Sequence, residues 1–130
     1  MRLTKVKRME AAMGQSKPFH RTAIVVEDDA LQRDMIALLL AESDFNVIQC
    51  EDAETASLAL KARHPCLLIT DVKLAGKMNG IELAQLARKN DPALRVVVIS
   101  GQQAASVLPD GVTFLSKPVH PTTLIREAVP

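Results

Sequence analysis

Aromatic residues are nearly missing from this chain: three Phe in 130 residues, with no Trp and no Tyr. Any core must then be aliphatic, and the scarcity of rings argues against nucleic-acid binding by base stacking. Cysteine is scarce too. Cys50 and Cys66 lack the spacing of a metal site, and both border apolar strand-like runs; they read as reduced, buried thiols of a cytosolic protein. His20, His64 and His120 show no catalytic spacing and read as solvated loop residues. No apolar run approaches membrane-spanning length, and the start lacks a signal-peptide apolar region. The expected location is the cytoplasm, with no membrane partner.

What the chain does contain is unevenly charged. Apolar residues make up 48% and charged residues 24%, ordinary values for a globular domain. Residues 1–21 carry six basic side chains against Glu10, a net +5, which leaves −4 for the remainder of a chain whose total is +1. The stretch 1–21 reads as a loosely ordered basic extension, its weak stripe of Val6, Met9 and Met13 stopped by Gly14 and Pro18. Residues 22–130 read as one domain with its own core.

Within that domain, Leu67-Leu68-Ile69-Thr70-Asp71 is an uncharged run ending in one carboxylate, the pattern of a strand buried on both faces of a parallel sheet. Thr22 to Val26 is a second such run, ending in Glu27, Asp28 and Asp29. Further strands are expected over Phe45–Cys50, Leu94–Ile99 and Val112–Ser116. Helices are expected over Ala30–Ser43, with Leu31, Met35, Leu38 and Leu39 at helical spacing, over Ala53–Arg63 with Ala56 and Leu60 inward, and over Ile81–Lys89 capped by Asn79. About two helical turns fit Gln102–Leu108, and a last short helix fits Thr122–Val129 after Pro121. Strict β–α alternation predicts an α/β fold, a parallel sheet with helices on both faces.

Chemistry in such sheets gathers beyond the carboxyl ends of the strands. Those ends offer Glu27 and Asp28, Asp71, Ser100 and Lys117. Three carboxylates brought together repel unless a cation intervenes. Mg²⁺ suits a few carboxylates, waters and a phosphate oxygen. A hydroxyl at Ser100 and a point charge at Lys117 would complete a set able to place a phosphoryl group on Asp71. Asp29 reads instead as the acidic start of the first helix.

Five pieces in order carry a resemblance: Ile24-Val25-Val26-Glu27-Asp28-Asp29, Ile69-Thr70-Asp71, Asn79-Gly80-Ile81-Glu82-Leu83, Val96-Val97-Val98-Ile99-Ser100-Gly101 and Phe114-Leu115-Ser116-Lys117-Pro118. The chain resembles a response-regulator receiver domain of two-component signalling, in single-domain, chemotaxis-receiver-like form. The resemblance implies a flavodoxin-like, doubly wound, five-stranded parallel sheet of order 2-1-3-4-5. It implies that Asp71 accepts a phosphoryl group from a histidine kinase or histidine phosphotransfer protein. Mg²⁺ would be held by Glu27, Asp28, Asp71 and the backbone carbonyl of Lys73. Ser100 and Lys117 would meet the phosphoryl group, Phe114 would be the switch residue, and the Lys117–Pro118 bond would be cis. The domain would then signal by protein–protein contact to a downstream target, not as a turnover enzyme.

The chain also departs from that pattern. Ala75 stands where the loop after the acceptor usually carries Pro, and Lys77-Met78 adds about two residues before Asn79-Gly80. The stretch from Ser100 to Phe114 is short by roughly five residues, more than a helical turn, so the fourth helix is expected to be short or irregular. A phosphorylation-independent interaction module, or a small flavodoxin-like phosphatase or nucleotide binder, are the alternative readings.

Overall fold

The computed structural model describes residues 21–101 and 108–129. Its elements are β1 (Arg21–Val26), α1 (Ala30–Glu42), β2 (Phe45–Cys50), α2 (Ala53–Arg63), β3 (Leu67–Asp71), α3 (Gly80–Asn90), β4 (Arg95–Ser100), β5 (Val112–Ser116) and α4 (Pro121–Ala128). All neighbouring strands run parallel, in the order β2-β1-β3-β4-β5. This is the expected flavodoxin-like sheet. The basic extension expected over residues 1–21 and the short helix expected over 102–108 fall almost wholly on residues outside those described. Arg21, counted with the extension on charge alone, is the first residue of β1.

Successive side chains of a strand point to opposite faces, and two aliphatic cores result. On one face Ile24, Val26, Leu68, Val96 and Val98 meet Ala53 and Ala56 of α2 and Leu83, Ala84 and Ala87 of α3. On the other, Ala23, Val25, Leu67, Ile69, Val97 and Ile99 meet Leu40 of α1 and Leu124 and Ala128 of α4. All five residues of β3 are buried, which is why its sequence shows no polar alternation. From β1 the chain crosses to β2 on one side and later returns to β3 on the other. The crevice at that switch point lies between the carboxyl ends of β1 and β3.

Two expectations about burial are corrected. In α1, Leu31, Met35 and Leu38 are exposed, at 70%, 59% and 61%. The buried face is Ala37 and Leu40, with Ile36 and Leu39 packed at its edge. Apolar residues occur almost all round this helix, so spacing alone could not choose the inward stripe. Cys50 is buried, but Cys66 is exposed. Cys66 sits just before β3, on the rim of the sheet, where the apolar run has not yet entered the core.

Candidate functional site

The acids after β1 are divided by their local geometry. Asp29 is the N-cap of α1, its Oδ1 accepting from Leu31 N at 3.0 Å and Gln32 N at 3.2 Å. The Gln32 N–H, then the Gln32 side-chain amide 3.1 Å from Oδ2, and less so the Leu31 N–H, hold its carboxyl below the usual carboxylate range. Glu27 turns the other way and is only 2% exposed. Its Oε2 accepts the Asp29 N–H at 3.1 Å, and Arg33 Nη1 grips its backbone carbonyl at 2.7 Å. Asp28, between them, is exposed.

Asp71 ends β3 beside them, 9% exposed. Carboxylate oxygens of Glu27, Asp28 and Asp71 all lie within 4.8 Å of one another. Lys117, arriving from β5, places Nζ 2.8 Å from Asp71 Oδ2 and 3.2 Å from Glu27 Oε1. The Lys117–Pro118 peptide is cis, and the Lys117 N–H bonds to the Ser100 carbonyl at 2.9 Å. The ammonium therefore reaches the acids from a backbone pinned to the neighbouring strand end.

The charges respond to this crowding. Burial pushes the Glu27 carboxyl above its ordinary 4.5; the Asp71 charge and a bond with Asp28 add to the rise, and the Asp29 N–H and Lys117 oppose it. Burial disfavours the Lys117 charge, but the bond to and charge of Asp71, then those of Glu27, outweigh it and hold the ammonium above 10.5. One cation thus serves two buried acids with a third at hand. An oxygen-only donor set with surplus negative charge fits a hard divalent cation that keeps some of its waters.

The other predicted residues stand on the adjoining strands and loop. Ser100 ends β4, buried, opposite Ser116 in the β4–β5 register. Lys73 is two residues beyond Asp71 in the loop to α3, with its side chain exposed. Phe114 is half-buried in β5, opposite Val98, and packs on the α2/α3 core. Alternation puts Phe114 and Ser100 on the same face of the sheet.

The sequence reading gave no role to Gly80 or Thr70, though both stand in its matched pieces, and it missed Glu54. Gly80 opens α3 hard against the end of β3: its N–H bonds to Val72 O at 2.8 Å, and an added methyl would overlap the Asp71 carbonyl oxygen and crowd Thr70 Oγ1 at 2.9 Å. Only glycine permits that approach. Thr70, fully buried, donates its hydroxyl to the same Asp71 carbonyl at 2.8 Å. Glu54, on the first turn of α2, accepts from Lys77 N at 3.3 Å and Met78 N at 3.1 Å. It holds the two added residues of the β3–α3 loop, where Asp52 also bridges to Ala75. A signal existed for Gly80, in glycine directly after the Asn79 cap. None existed for Glu54, whose partners are backbone groups 23 and 24 residues away. We expect Glu54→Ala to cost about 1 kcal/mol, the ordinary worth of such bonds. Hydrogen exchange should show lost protection at Lys77 and Met78, with β3 unchanged; unchanged protection at both amides would disprove the latch.

The family model described as "Response regulator receiver domain" matches residues 23–129. This chain belongs to the response regulator receiver family. The receiver domain is 31% identical over 109 residues to the response regulator receiver protein CpdR of Brucella abortus, covering 80% of this chain and 90% of that protein. It is 30% identical over 81 residues to the autoinducer 1 sensor kinase/phosphatase LuxN of Vibrio harveyi, covering 62% of this chain but only 9% of that much longer protein. Among solved structures, the receiver domain of NtrX from Brucella abortus superposes with a TM-score of 0.73 at 32% identity, covering 80% of this chain and 92% of that one. Among the described residues, no helix is long and apolar enough to cross a membrane.

Proposed function

We propose that this receiver domain accepts a phosphoryl group on Asp71 from a phosphohistidine on a histidine kinase or phosphotransfer protein, with Mg²⁺ as cofactor, and passes the signal on by protein–protein contact. The observation that carries this reading is the meeting of Glu27, Asp28, Asp71 and Lys117 at the β1/β3 switch point. Mg²⁺, when bound, would neutralise the carboxylates and incoming phosphoryl oxygens. Glu27, Asp28, Asp71 and the Lys73 carbonyl would hold it.

The chain's own part is nucleophilic attack and positioning. A carboxylate oxygen of Asp71 bonds to phosphorus as the phosphorus–nitrogen bond of the donor breaks, and the nitrogen keeps the electron pair. Lys117, 2.8 Å from Asp71, exchanges part of its carboxylate contact for a phosphoryl oxygen. Ser100, at the end of the adjacent strand, supplies a hydroxyl donor on the other side. Phe114, on the same sheet face, is placed to follow Ser100 and alter the β4–β5 surface.

A docking surface lies beside the site. Met35, Ile36 and Leu39 of α1 and Val119 and Leu124 of the α4 side line a groove of about 540 Å³ that reaches Lys117. Met35 is exposed on its lining, and Leu31 and Leu38 are further exposed apolar residues of the same helix. Such a patch marks a protein partner, and an apolar helix face of the phosphohistidine protein is the occupant we assign. Met35→Glu is then expected to slow phosphotransfer from the cognate kinase tenfold or more, about the 1.4 kcal/mol of one lost anchor, while labelling by acetyl phosphate stays normal. Equal slowing of both reactions would argue against the groove. The reading as a whole is tested by titrating beryllofluoride with Mg²⁺ and following amide shifts: changes are expected at Asp71, Ser100 and Lys117, and a flat titration would overturn it.

A further inference from the structure

The rim of the sheet opposite the acids carries a second charged feature. Arg21 opens β1, Cys66 precedes β3, Arg95 opens β4 and Gly111 precedes β5. In a parallel sheet these strand starts share one edge, and Arg88 reaches it from the end of α3. With Ala93, Leu94 and Ala128 they line a cavity of about 390 Å³ that has three arginines and, among the described residues, no acidic residue in its lining.

The three arginines are tied to backbone carbonyls, not to acids. Arg21 Nη2 donates to Ser43 O at 3.3 Å, with its guanidinium 4.6 Å over the Phe45 ring. Arg95 Nη1 donates to Glu127 O at 3.3 Å. Arg88 donates to Asp110 O at 3.1 Å, to Leu94 O at 3.0 Å and to Pro92 O. Among the described residues, the ion pairs within 4.0 Å belong to Lys117 at the other edge. Carbonyls orient a cation without neutralising it. Each guanidinium has five N–H donors in a planar fork; among the described residues, Arg21 and Arg95 each commit one side-chain N–H to a carbonyl, which leaves donors for a ligand. Mutual repulsion of the three charges is relieved by an anion, and the backbone ties meet part of the ordering cost before binding.

We propose that this cavity binds a phosphate-bearing small molecule, at a site separate from Asp71. Three guanidiniums call for more charge than one carboxylate carries, and their forks match phosphate oxygens two at a time. The volume is at the lower end of small-molecule pockets.

Cys66 provides a direct readout, because its thiol is exposed at the cavity wall while Cys50 is buried. Inorganic pyrophosphate is the probe, iodoacetamide the thiol reagent, and KCl at matched ionic strength the control. Pyrophosphate is expected to slow Cys66 alkylation at least fivefold and to shift the amides of Arg21, Cys66 and Arg95. Arg95→Gln and Arg21→Gln should each raise the pyrophosphate concentration needed about tenfold, roughly 1.4 kcal/mol. Arg95→Lys, which keeps the charge but loses the fork, guards against misfolding and should fall between. Asp71→Asn should leave protection unchanged, separating this site from the phosphoacceptor reading. No protection and no shifts up to about 20 mM pyrophosphate, a weak-binding limit under 3 kcal/mol, would overturn the proposal. Equal protection by KCl, or in Arg95→Gln, would do the same.

Discussion

Asp71→Asn is expected to reduce phosphoryl incorporation from acetyl phosphate with Mg²⁺ to background, while the protein stays folded. The amide cannot act as the nucleophile. Gly80 and Thr70 engage the backbone carbonyl of Asp71, and a side-chain amide oxygen still accepts the Lys117 ammonium, now 2.8 Å from Oδ2. Removing one of three clustered carboxylates also relieves repulsion on Glu27, which Asp71 helps to push up. The thermal midpoint in metal-free buffer should therefore be unchanged or higher. Intact mass after acetyl phosphate treatment reads the first result and circular dichroism the second. A mass increase of one phosphoryl group in the variant would move the acceptor elsewhere and end the present assignment.

Lys117→Met carries the largest expected stability effect. Lys117 is the cation for two acids whose side chains are 3% and 10% exposed. Leaving a buried charge without its partner costs about 3–5 kcal/mol. The lysine side chain is itself 26% exposed, so about 2–3 kcal/mol is expected near neutral pH in the presence of a chelator. The sign with pH follows from Glu27. Its folded-state pKa lies above the ordinary 4.5, so the folded protein binds the proton more tightly than the unfolded chain. That contribution is complete below 4.5 and is lost as pH rises through the raised value. Loss of Lys117 removes one influence that opposes the rise, so the destabilisation should shrink toward pH 4.5 and grow toward pH 7. In the wild type the Lys117 contribution is present below 10.5 and disappears as pH rises through its raised pKa; the variant should lack this alkaline loss. Urea unfolding across pH 4.5 to 11 with chelator present measures both, and a pH-independent difference would refute the assignment of Lys117 as the balancing charge. Mg²⁺ should restore part of the lost stability by binding only the folded site.

The strand ends were legible because each buried run in this chain stops at a polar residue, and the run in β3 admits no charge before Asp71. Asp29 and Asn79 were legible as helix caps because a cap bonds to amides two or three residues away, within reach of local pattern. The inward face of α1 was not, since Leu31, Met35 and Leu38 compete with Ile36, Ala37 and Leu40 and only the neighbouring sheet settles the matter. Nor was the exposure of Cys66, which depends on where the rim of the sheet falls.

Sequence alone determined which residues form strands and helices, and that acids, a serine and a lysine stand at strand ends, because those patterns follow from periods of two and about 3.6 residues along one chain. The tertiary structure decided which of them meet. It brought Lys117 across 90 residues to Glu27, fastened the enlarged loop to Glu54, and gathered Arg21, Arg88 and Arg95 at the far rim. The physical reason is that charge interaction depends on distance and burial, which are set when separate strands align in one sheet and not by any stretch of residues read alone.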